Sequence, residues 1–267
     1  MKGKTDMGKR LEGKVALITG AGTGVGRACM HRFAQEGAEI LGVGRTSATL
    51  EAVVAEVEAD GGTARLATAD LSREEDVRRA VEQTMEAYGR IDILVHSAGV
   101  GWSWGEKSPG SMNPVKDLTL EKWREVMAIN LDSYYMLTHA VLPAMVARKS
   151  GSIVAVSSIS GLQGLDTAHA YCAAKAGMIN LTRALCATYA KDGVRANCVA
   201  PGFIDTGMVA AVIGVFDDPA AARAIAPMGR PATAVEIANG CLYFASDESS
   251  YCNGSVLVID GGTSARQ

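Results

Sequence analysis

The stretch that decides the fold reads TGAGTGVG, residues 19–26, with the spacing T-G-x3-G-x-G. It follows the apolar run Val15–Thr19 and precedes a helical pattern over residues 25–36. Glycines let the backbone turn sharply and approach a ligand closely, and the helix N-terminus then offers free N–H groups to an anion. A strand, a glycine-rich loop and a helix in this order therefore predict a pyrophosphate site, with a turn that binds nothing as the alternative.

Short apolar runs alternate with longer amphipathic stretches along the rest of the chain. The predicted strands are Val15–Thr19, Glu39–Val43, Ala64–Thr68, Ile91–His96, Ser152–Ser157, Arg195–Val199 and Ser255–Ile259. The predicted helices cover residues 25–36, 47–59, 73–88, 120–147, 171–191 and 233–245. Strands that are apolar throughout are typical of a sheet buried on both faces, so the alternation predicts a doubly wound parallel α/β sheet.

Composition narrows the class of protein. No linker divides the 267 residues, so we expect one domain over 11–267 behind a loose, charged tail at 1–10. The net charge of -3 gives no reason to expect nucleic acid or a membrane surface as a partner. No apolar run reaches the roughly 18 residues of a membrane span, and the first ten residues lack the apolar core of a secretory signal. Neither the six cysteines nor the four histidines have ligand spacing, so we expect free thiols, no metal and a cytoplasmic protein.

Two segments interrupt the alternation of strands and helices. Gly99–Leu118 is rich in Gly, Ser, Pro and Trp and follows a strand end, where such sheets form their ligand crevice. The stretch 207–231 is interpreted either as a mobile lid or as a plain surface excursion. Four apolar side chains in or near these segments could line a substrate pocket or pack a loop onto the domain: Trp102, Trp104, Phe203 and Met208. Of these we expect Trp102 and Phe203 to contact the substrate.

The end of the second predicted strand reads VGRT, residues 43–46, and no acid occurs between Glu39 and Glu51. A dinucleotide site often places an acid here, on the ribose hydroxyls. Arg45 would instead suit a 2′-phosphate, through a bidentate charge-assisted contact. The sequence therefore favours NADP(H), and NAD(H) with Arg45 as a solvated residue is the alternative.

Tyr171 and Lys175 are spaced to lie one turn apart on one face of a helix. An ammonium lowers the pKa of a nearby phenol, ordinarily about 10, so Tyr171 could give and take a proton at neutral pH. Ser158, just past the fifth strand, could hold a substrate oxygen beside the phenol or belong to a local serine-rich turn. Asn130 could bend its helix, hold a water, or be a surface polar residue.

Taken together and in this order, the motifs resemble the short-chain dehydrogenase/reductase family in its single-domain branch. The resemblance runs from about Leu11 to Gly262, and overall the chain resembles 3-oxoacyl-carrier-protein reductases and the secondary-alcohol dehydrogenases related to them. The motifs that carry it are the loop at 19–26, Asp70, Ala98-Gly99, Asn130, Ser158, Tyr171, Lys175, Pro201-Gly202 and Asp260-Gly261-Gly262.

The resemblance implies a Rossmann-type parallel sheet of seven strands in the order 3-2-1-4-5-6-7. It also implies hydride transfer between a nicotinamide cofactor and a secondary alcohol or ketone. Ser158, Tyr171 and Lys175 would be the catalytic triad, and Asn130 would complete a proton relay through water. Ser158 and Tyr171 would also contact the substrate. The expected cofactor contacts are Gly20, Thr23, Gly24, Val25, Gly26, Arg45, Thr46, Asp70, Leu71, Ser97, Ala98, Gly99, Tyr171, Lys175, Pro201, Gly202, Ile204 and Thr206.

The resemblance further implies that Asp70 meets the adenine, Lys175 the nicotinamide ribose and Thr206 the carboxamide. Many members of the family are tetramers. Their subunit interfaces resemble the helices at 120–147 and 171–191 and the segment Ser255–Gly262, so we expect a homotetramer.

The chain departs from the family pattern after the fourth strand, where it has His96-Ser97-Ala98-Gly99 in place of Asn-Asn-Ala-Gly. We interpret His96 as a structural substitute, with a catalytic histidine as the alternative, and Cys172 as an inert small side chain. Two other functions stay open: a non-catalytic NADP(H)-binding regulatory or scaffold protein, and a lyase or epimerase on the same scaffold.

Overall fold

Seven parallel strands run through the centre of the molecule in the order β3-β2-β1-β4-β5-β6-β7, which confirms the predicted sheet and its strand order. The strands are β1 (Val15–Thr19), β2 (Glu39–Gly44), β3 (Thr63–Thr68), β4 (Ile93–His96), β5 (Gly151–Val156), β6 (Val194–Pro201) and β7 (Val256–Ile259). The computed structural model describes residues 9–266. Residues 1–8 of the predicted loose tail lie outside that range, and Arg10 forms an ion pair with Glu248.

Nine α-helices connect and cover the strands within the described range. They are α1 (Gly24–Gln35), α2 (Ser47–Ala59), α3 (Glu74–Tyr88), α4 (Trp104–Lys107), α5 (Leu120–Met127), α6 (Ser133–Arg148), α7 (His169–Tyr189), α8 (Pro219–Ile225) and α9 (Ala234–Ala245). None of the helices in residues 9–266 combines the length and the apolar character that a membrane crossing requires. The same residues hold no group of three or more His, Cys, Asp or Glu side chains suited to a metal ion.

Successive residues of each strand point to opposite sides of the sheet, and helices pack against both sides. Ile18 of β1 packs in one apolar cluster with Phe33 of α1 and Leu242 of α9. Leu17, its neighbour, packs in the other cluster with Leu137 of α6 and Met178 of α7. The fully apolar strands of the sequence thus reflect two helical layers, one on each face.

The predicted helix at 120–147 is wrong in its middle. It divides into α5 and α6, and a π-helical turn at Ala128–Asp132 separates them. Such turns hold one extra residue and are frequent at functional sites. This one carries Asn130.

The strand order reverses direction between β1 and β4, which pair with β2 and β5 on their other sides. At such a switch point the connections after the two strands diverge and leave a crevice at the carboxyl ends. The glycine-rich loop follows β1, and segment 99–118 follows β4, so both lie at this crevice.

Candidate active site

The crevice contains two adjoining cavities of about 340 and 230 Å³. Both are lined by the same four small residues at the ends of β1 and β4, so they form one elongated cleft: Gly20, Thr23, Ala98 and Gly99. We call the larger part the reaction half and the smaller part the adenosine half. An elongated cleft at a sheet switch point has the shape that a dinucleotide requires.

Most of the predicted site residues meet at this cleft. The reaction half is also lined by Gly24, Val25, Ser97, Trp102, Ser158, Tyr171, Lys175, Pro201, Gly202, Phe203, Ile204 and Thr206. The adenosine half is also lined by Arg45, Thr46, Asp70 and Leu71. Gly26 and Asn130 do not line the cleft among the described residues but lie directly behind residues that do. A Cβ on Gly26 would lie 2.2 Å from the carbonyl oxygen of Gly20, and Asn130 is buried beside Gly99.

The loop between β1 and α1 forms a concave surface, and glycines keep it open where larger side chains would fill it. We call this surface the cradle. Gly20 has a φ of +67°, and a Cβ there would lie 3.0 Å from the backbone nitrogen of Ala98. Thr23 precedes α1 and makes no side-chain capping bond within the described range, and the first turn of α1 carries no acid. The N–H groups of that turn are therefore available to an anion at the positive end of the helix dipole. The cradle fits the pyrophosphate of a nicotinamide dinucleotide.

Two charged residues lie at the adenosine half, and they differ in whether their polar groups are free to bind a ligand. The Asp70 carboxylate accepts hydrogen bonds from the backbone N–H and the hydroxyl of Ser72, at 3.0 and 2.7 Å. Arg45 is exposed at the end of β2, and its guanidinium carbon lies 5.3 Å from the centroid of the Trp104 ring. The guanidinium thus lies over the tryptophan ring, and Arg45 forms no ion pair with an acid among the described residues.

Tyr171 and Lys175 lie one turn apart near the start of α7, where only 8 % and 3 % of their surfaces are exposed. The ammonium of Lys175 lies 5.6 Å from the centre of the Tyr171 ring and donates a hydrogen bond to the carbonyl of Val156 at 3.0 Å. The spacing of four residues thus brings both groups to the reaction half, as expected.

The expected lowering of the phenol pKa is not present in this structure. Burial raises the pKa of Tyr171 to about 12, and the Ser158 hydroxyl acts in the opposite direction. Burial likewise lowers the pKa of Lys175 to about 8. A phenolate in this position would lose its hydration, and that loss outweighs the attraction of an ammonium beyond hydrogen-bond distance. Tyr171 is therefore a protonated phenol at neutral pH, which is the form that donates a proton.

Ser158 lies at the cleft and also belongs to a local turn. It follows β5 and lines the reaction half, and its hydroxyl oxygen accepts a hydrogen bond from the Ser160 N–H at 3.0 Å. The accepted bond fixes the side chain and leaves the hydroxyl proton for another partner. The neighbouring Ser157 donates to the carbonyl of Lys175 at 2.9 Å and fastens α7 to the end of β5.

Asn130 is fully buried, so it is not a surface polar residue. Its amide nitrogen donates to the carbonyl of Val126 at 3.0 Å, and its amide oxygen accepts from the Val100 N–H at 3.2 Å. A Cβ added to Gly99 would lie 2.7 Å from that amide oxygen and 3.5 Å from the Lys175 ammonium. Asn130 and Lys175 therefore converge on one point at the floor of the cleft, which glycine leaves open.

His96 connects β1 and β4 to the π-helical turn. Its Nδ1 lies 3.1 Å from the Thr19 hydroxyl, and its Nε2 lies 3.3 Å from the Ser133 hydroxyl. Ser133 gives its own proton to the carbonyl of Ile129, so Nε2 of His96 is the donor and Nδ1 the acceptor. Burial lowers the pKa of His96 to about 3, with the Lys175 charge as a smaller cause. A neutral, fully bonded imidazole behind the cleft supports the structural interpretation.

Hydrogen bonds join segments 99–118 and 207–231 next to the reaction half. The Ser103 N–H donates to the carbonyl of Met208 at 2.9 Å, and the Ser103 hydroxyl accepts from the Ala211 N–H at 3.3 Å. Phe203 meets Phe216 edge to face, with ring centroids 5.7 Å apart. Trp102 both lines the cleft and packs on the apolar cluster around Tyr171. Segment 207–231 thus forms part of the roof of the cleft.

Sequence reasoning missed a further group of lining residues, which lie beside predicted ones or in loops without a motif. They are Gly22, Gly44, Thr49, Ala69, Ser72, Ile129, Val156, Ser157, Ile159, Ser160, Leu165, Gly207 and Val209. Adjacency would have found several of them, because Ile129 precedes Asn130 and Ser157 precedes Ser158. Leu165 carries no signal, since only the path of the loop between β5 and α7 brings it to the cleft.

Comparisons with known proteins agree with this geometry. A family model described as enoyl-(acyl carrier protein) reductase matches residues 20–264. The chain is 37 % identical to the 3-oxoacyl-[acyl-carrier-protein] reductase FabG of Thermotoga maritima, over 95 % of this chain and 98 % of that protein. It is 33 % identical to the cyclohexanol dehydrogenase of an Acinetobacter species, over 97 % and 98 % of the two chains.

A solved structure from Beutenbergia cavernae with bound NADP at low occupancy has a TM-score of 0.86 to this chain and 37 % identity. It covers 96 % of this chain and 98 % of its own. The matches span nearly the full length of both partners in each comparison. The chain accordingly belongs to the short-chain dehydrogenase/reductase family, as an NAD(P)-dependent oxidoreductase acting on alcohols and ketones.

Proposed function

We propose that this enzyme transfers a hydride between NADP(H) and a compact, largely apolar ketone or secondary alcohol. The convergence of Ser158, Tyr171 and Lys175 on the reaction half of the cleft carries the proposal. Two hydroxyls meet there in a largely apolar cavity, where hydrogen bonds to a developing alkoxide are stronger than in water.

A nicotinamide held in the cleft would supply a hydride to the carbonyl carbon, or would accept one in the reverse direction. In reduction, Ser158 donates its hydroxyl proton in a hydrogen bond to the substrate oxygen. Tyr171 gives its proton to the same oxygen, because the pKa of about 12 keeps the phenol protonated until that charge develops. The phenol recovers its proton from the floor of the cleft, where Lys175 and Asn130 converge beside Gly99 and would hold a water between them.

Arg45 supports NADP(H) over NAD(H) as the cofactor. Arg45 lines the adenosine half, where the acid among the described lining residues is Asp70, whose carboxylate already accepts two hydrogen bonds from Ser72. A cationic group without an opposing acid suits a 2′-phosphate better than ribose hydroxyls. The Beutenbergia relative carries NADP in its structure, which agrees with this assignment.

The walls of the reaction half support a small apolar substrate. The side chains around the hydroxyl pair are mainly apolar: Trp102, Leu165, Phe203, Met208 and Val209. The hydrogen bond from the Ser103 N–H to the Met208 carbonyl joins the two irregular segments, and we expect it to disfavour a long acyl chain on a carrier protein. Cyclic ketones are therefore the first substrates to test, with a 3-oxoacyl thioester as the comparison.

Tyr171→Phe tests the reaction. We expect the variant to bind NADPH with unchanged affinity and to lose about three orders of magnitude in kcat, because a general acid contributes about 10²–10⁴-fold. Tyr88→Phe is the matched control, since it removes a phenol bonded to the Ile40 carbonyl away from the cleft. Near-normal turnover in Tyr171→Phe would contradict the assignment.

A screen of ketones and alcohols followed by nicotinamide absorbance separates the remaining alternatives. Binding of NADPH with no turnover of any substrate would favour a regulatory or scaffold protein. Rearrangement of a substrate without net cofactor oxidation would favour a lyase or epimerase.

We extend the proposal to a homotetramer. Large side chains are exposed on the elements that resemble the family's interfaces: Tyr135 on α6 and Val258 on β7. Burying exposed apolar surface drives association. Sedimentation velocity should give four chains per particle, and Val258→Asp should reduce that number.

A further inference from the structure

Trp104 and Arg45 come from two different loops and contact each other beside the adenosine half. The guanidinium carbon of Arg45 lies 5.3 Å from the ring centroid of Trp104. Arg45 follows β2, whereas Trp104 begins α4 in the segment after β4, so the contact joins two separate crossovers. The distance is within the roughly 6 Å range of cation–π attraction.

The Trp104 ring is itself fixed from a second direction. Its Nε1 donates to a carboxylate oxygen of Glu125 on α5 at 2.7 Å. The other carboxylate oxygen accepts from the Ser108 hydroxyl at 2.8 Å and the Lys122 ammonium at 2.9 Å. The indole is therefore held in one orientation by polar contacts that do not involve Arg45.

Trp104 contacts Arg45 and does not itself line the cleft among the described residues. Arg45 lines the adenosine half, and Trp104 is absent from the described residues that line either half. A guanidinium stacked on an aromatic ring keeps its N–H edge free in its own plane, which is the edge that binds a phosphate in bidentate fashion. Stacking also removes rotamers that a free arginine would lose on binding.

We propose that Trp104 is a positioning residue that holds Arg45 ready for the 2′-phosphate of NADP(H) and so strengthens discrimination against NAD(H). The inference rests on the proposed use of NADP(H) and deepens it. Lys107 adds to the positive potential, since its ammonium lies 6.0 Å from the same ring centroid. Segment 99–118 thus serves both ends of the cleft, with Trp102 at the substrate and Trp104 behind the phosphate.

Direct cofactor binding tests the inference without turnover. NADPH and NADH are titrated by nicotinamide fluorescence into the wild type, Trp104→Ala, Trp104→Phe and Arg45→Ala. We expect Trp104→Ala to weaken NADPH binding about fivefold and leave NADH binding unchanged, as loss of a cation–π contact predicts. Trp104→Phe should lie between wild type and alanine. Arg45→Ala should weaken NADPH binding by about tenfold or more, because the phosphate contact itself is lost.

Two controls sharpen the comparison. Glu106→Ala removes an exposed charge from the same short helix and should change neither affinity. Adenosine 2′,5′-bisphosphate and AMP, titrated by calorimetry, report the adenosine half alone. Trp104→Ala should weaken the bisphosphate selectively.

The outcomes separate the two proposals. Equal weakening of NADPH and NADH in Trp104→Ala would show a general structural role and overturn the inference. Unchanged NADPH affinity in Trp104→Ala, together with a large loss in Arg45→Ala, would overturn the role of Trp104 and leave the cofactor assignment standing. An Arg45→Ala variant with an unchanged NADPH/NADH ratio would overturn the cofactor preference and this inference with it.

Discussion

The Lys175 ammonium donates a hydrogen bond to the carbonyl of Val156 across 3.0 Å, so the last residue of β5 holds a side chain that begins on α7. Burial lowers the pKa of Lys175 from 10.5 to about 8. Below pH 8 both the folded and the unfolded chain carry the proton, and the folded chain binds it more weakly. The charge therefore costs about 3 kcal/mol of folding stability at neutral pH.

Lys175→Met should accordingly stabilise the protein while removing activity. We expect a net gain of about 1–2 kcal/mol at pH 7, because the loss of the bond to Val156 offsets part of the relief. The gain should shrink between pH 8 and 10.5, where the folded wild type loses its proton first and becomes more stable. Urea denaturation at pH 7 and pH 10 measures both values. Lys175→Arg keeps a buried charge and should show no gain; a destabilised methionine variant would contradict the prediction.

His96 should make the protein sensitive to mild acid. Burial lowers its pKa to about 3 in the folded chain, from the ordinary histidine value of 6.5, so the unfolded chain binds a proton first as the pH falls. Stability from this group is complete above pH 6.5 and is lost progressively toward pH 3, by about 2 kcal/mol between pH 6.5 and 5.

His96→Asn should be less stable at pH 7, since one amide replaces bonds to both Thr19 and Ser133. Its stability should also change less between pH 7 and 5. Denaturant titrations at the two pH values give the difference. Equal acid sensitivity in both proteins would mean that His96 is not the buried neutral group described above.

The central strands were predictable because they are apolar runs buried on both faces, whereas β3 mixes exposed and buried residues. Val15–Thr19 is bounded as expected, and β4 begins two residues later than predicted, directly after Asp92, whose carboxylate accepts a hydrogen bond from the Val15 N–H. Tyr171 and Lys175 were predictable because helical spacing places them together.

Contacts between distant segments were not predictable. The π-helical turn in 120–147 has no signal in helical periodicity, because it depends on how α5 and α6 each pack. Trp104 and Arg45 are far apart in sequence, and only the two loop paths bring them together. The raised pKa of Tyr171 depends on burial, which the spacing of Tyr171 and Lys175 does not report.

Phe216 should affect substrate affinity although it does not line the cleft within the described residues. It packs edge to face on Phe203, which does, and such pairs contribute about 0.5–1.5 kcal/mol. We expect Phe216→Ala to raise KM for a cyclic ketone about three- to tenfold with little change in kcat. Steady-state kinetics measure both. Phe216→Leu keeps apolar volume and should lie between; a fall in kcat at constant KM would argue against a packing role.

Ala168 has a left-handed backbone, with a φ of 54°, immediately before α7. Lys149 has the same conformation after α6, with a φ of 52°. Replacing either by glycine relieves steric strain, so we expect each variant to gain about 0.5 kcal/mol in free energy of unfolding.

Only Ala168→Gly should also lower kcat, by about twofold to fivefold, because a freer hinge loosens the placement of Tyr171 three residues later. Thermal melts and kinetics on the pair test this, with Lys149→Gly as the matched control. Equal kcat values in the two variants would show that the hinge does not govern the phenol.

In the π-helical turn at Ala128–Asp132, the number of residues matters as much as their identity. Five residues in a π-turn rotate the chain about as far as four residues in an α-helix, so the turn holds its extra residue without rotating α6. Tyr134, Leu137 and Val141 therefore stay fully buried after it. A single-codon deletion in the turn would restore a continuous α-helix and leave α6 in register, but it would move Asn130 away from Gly99.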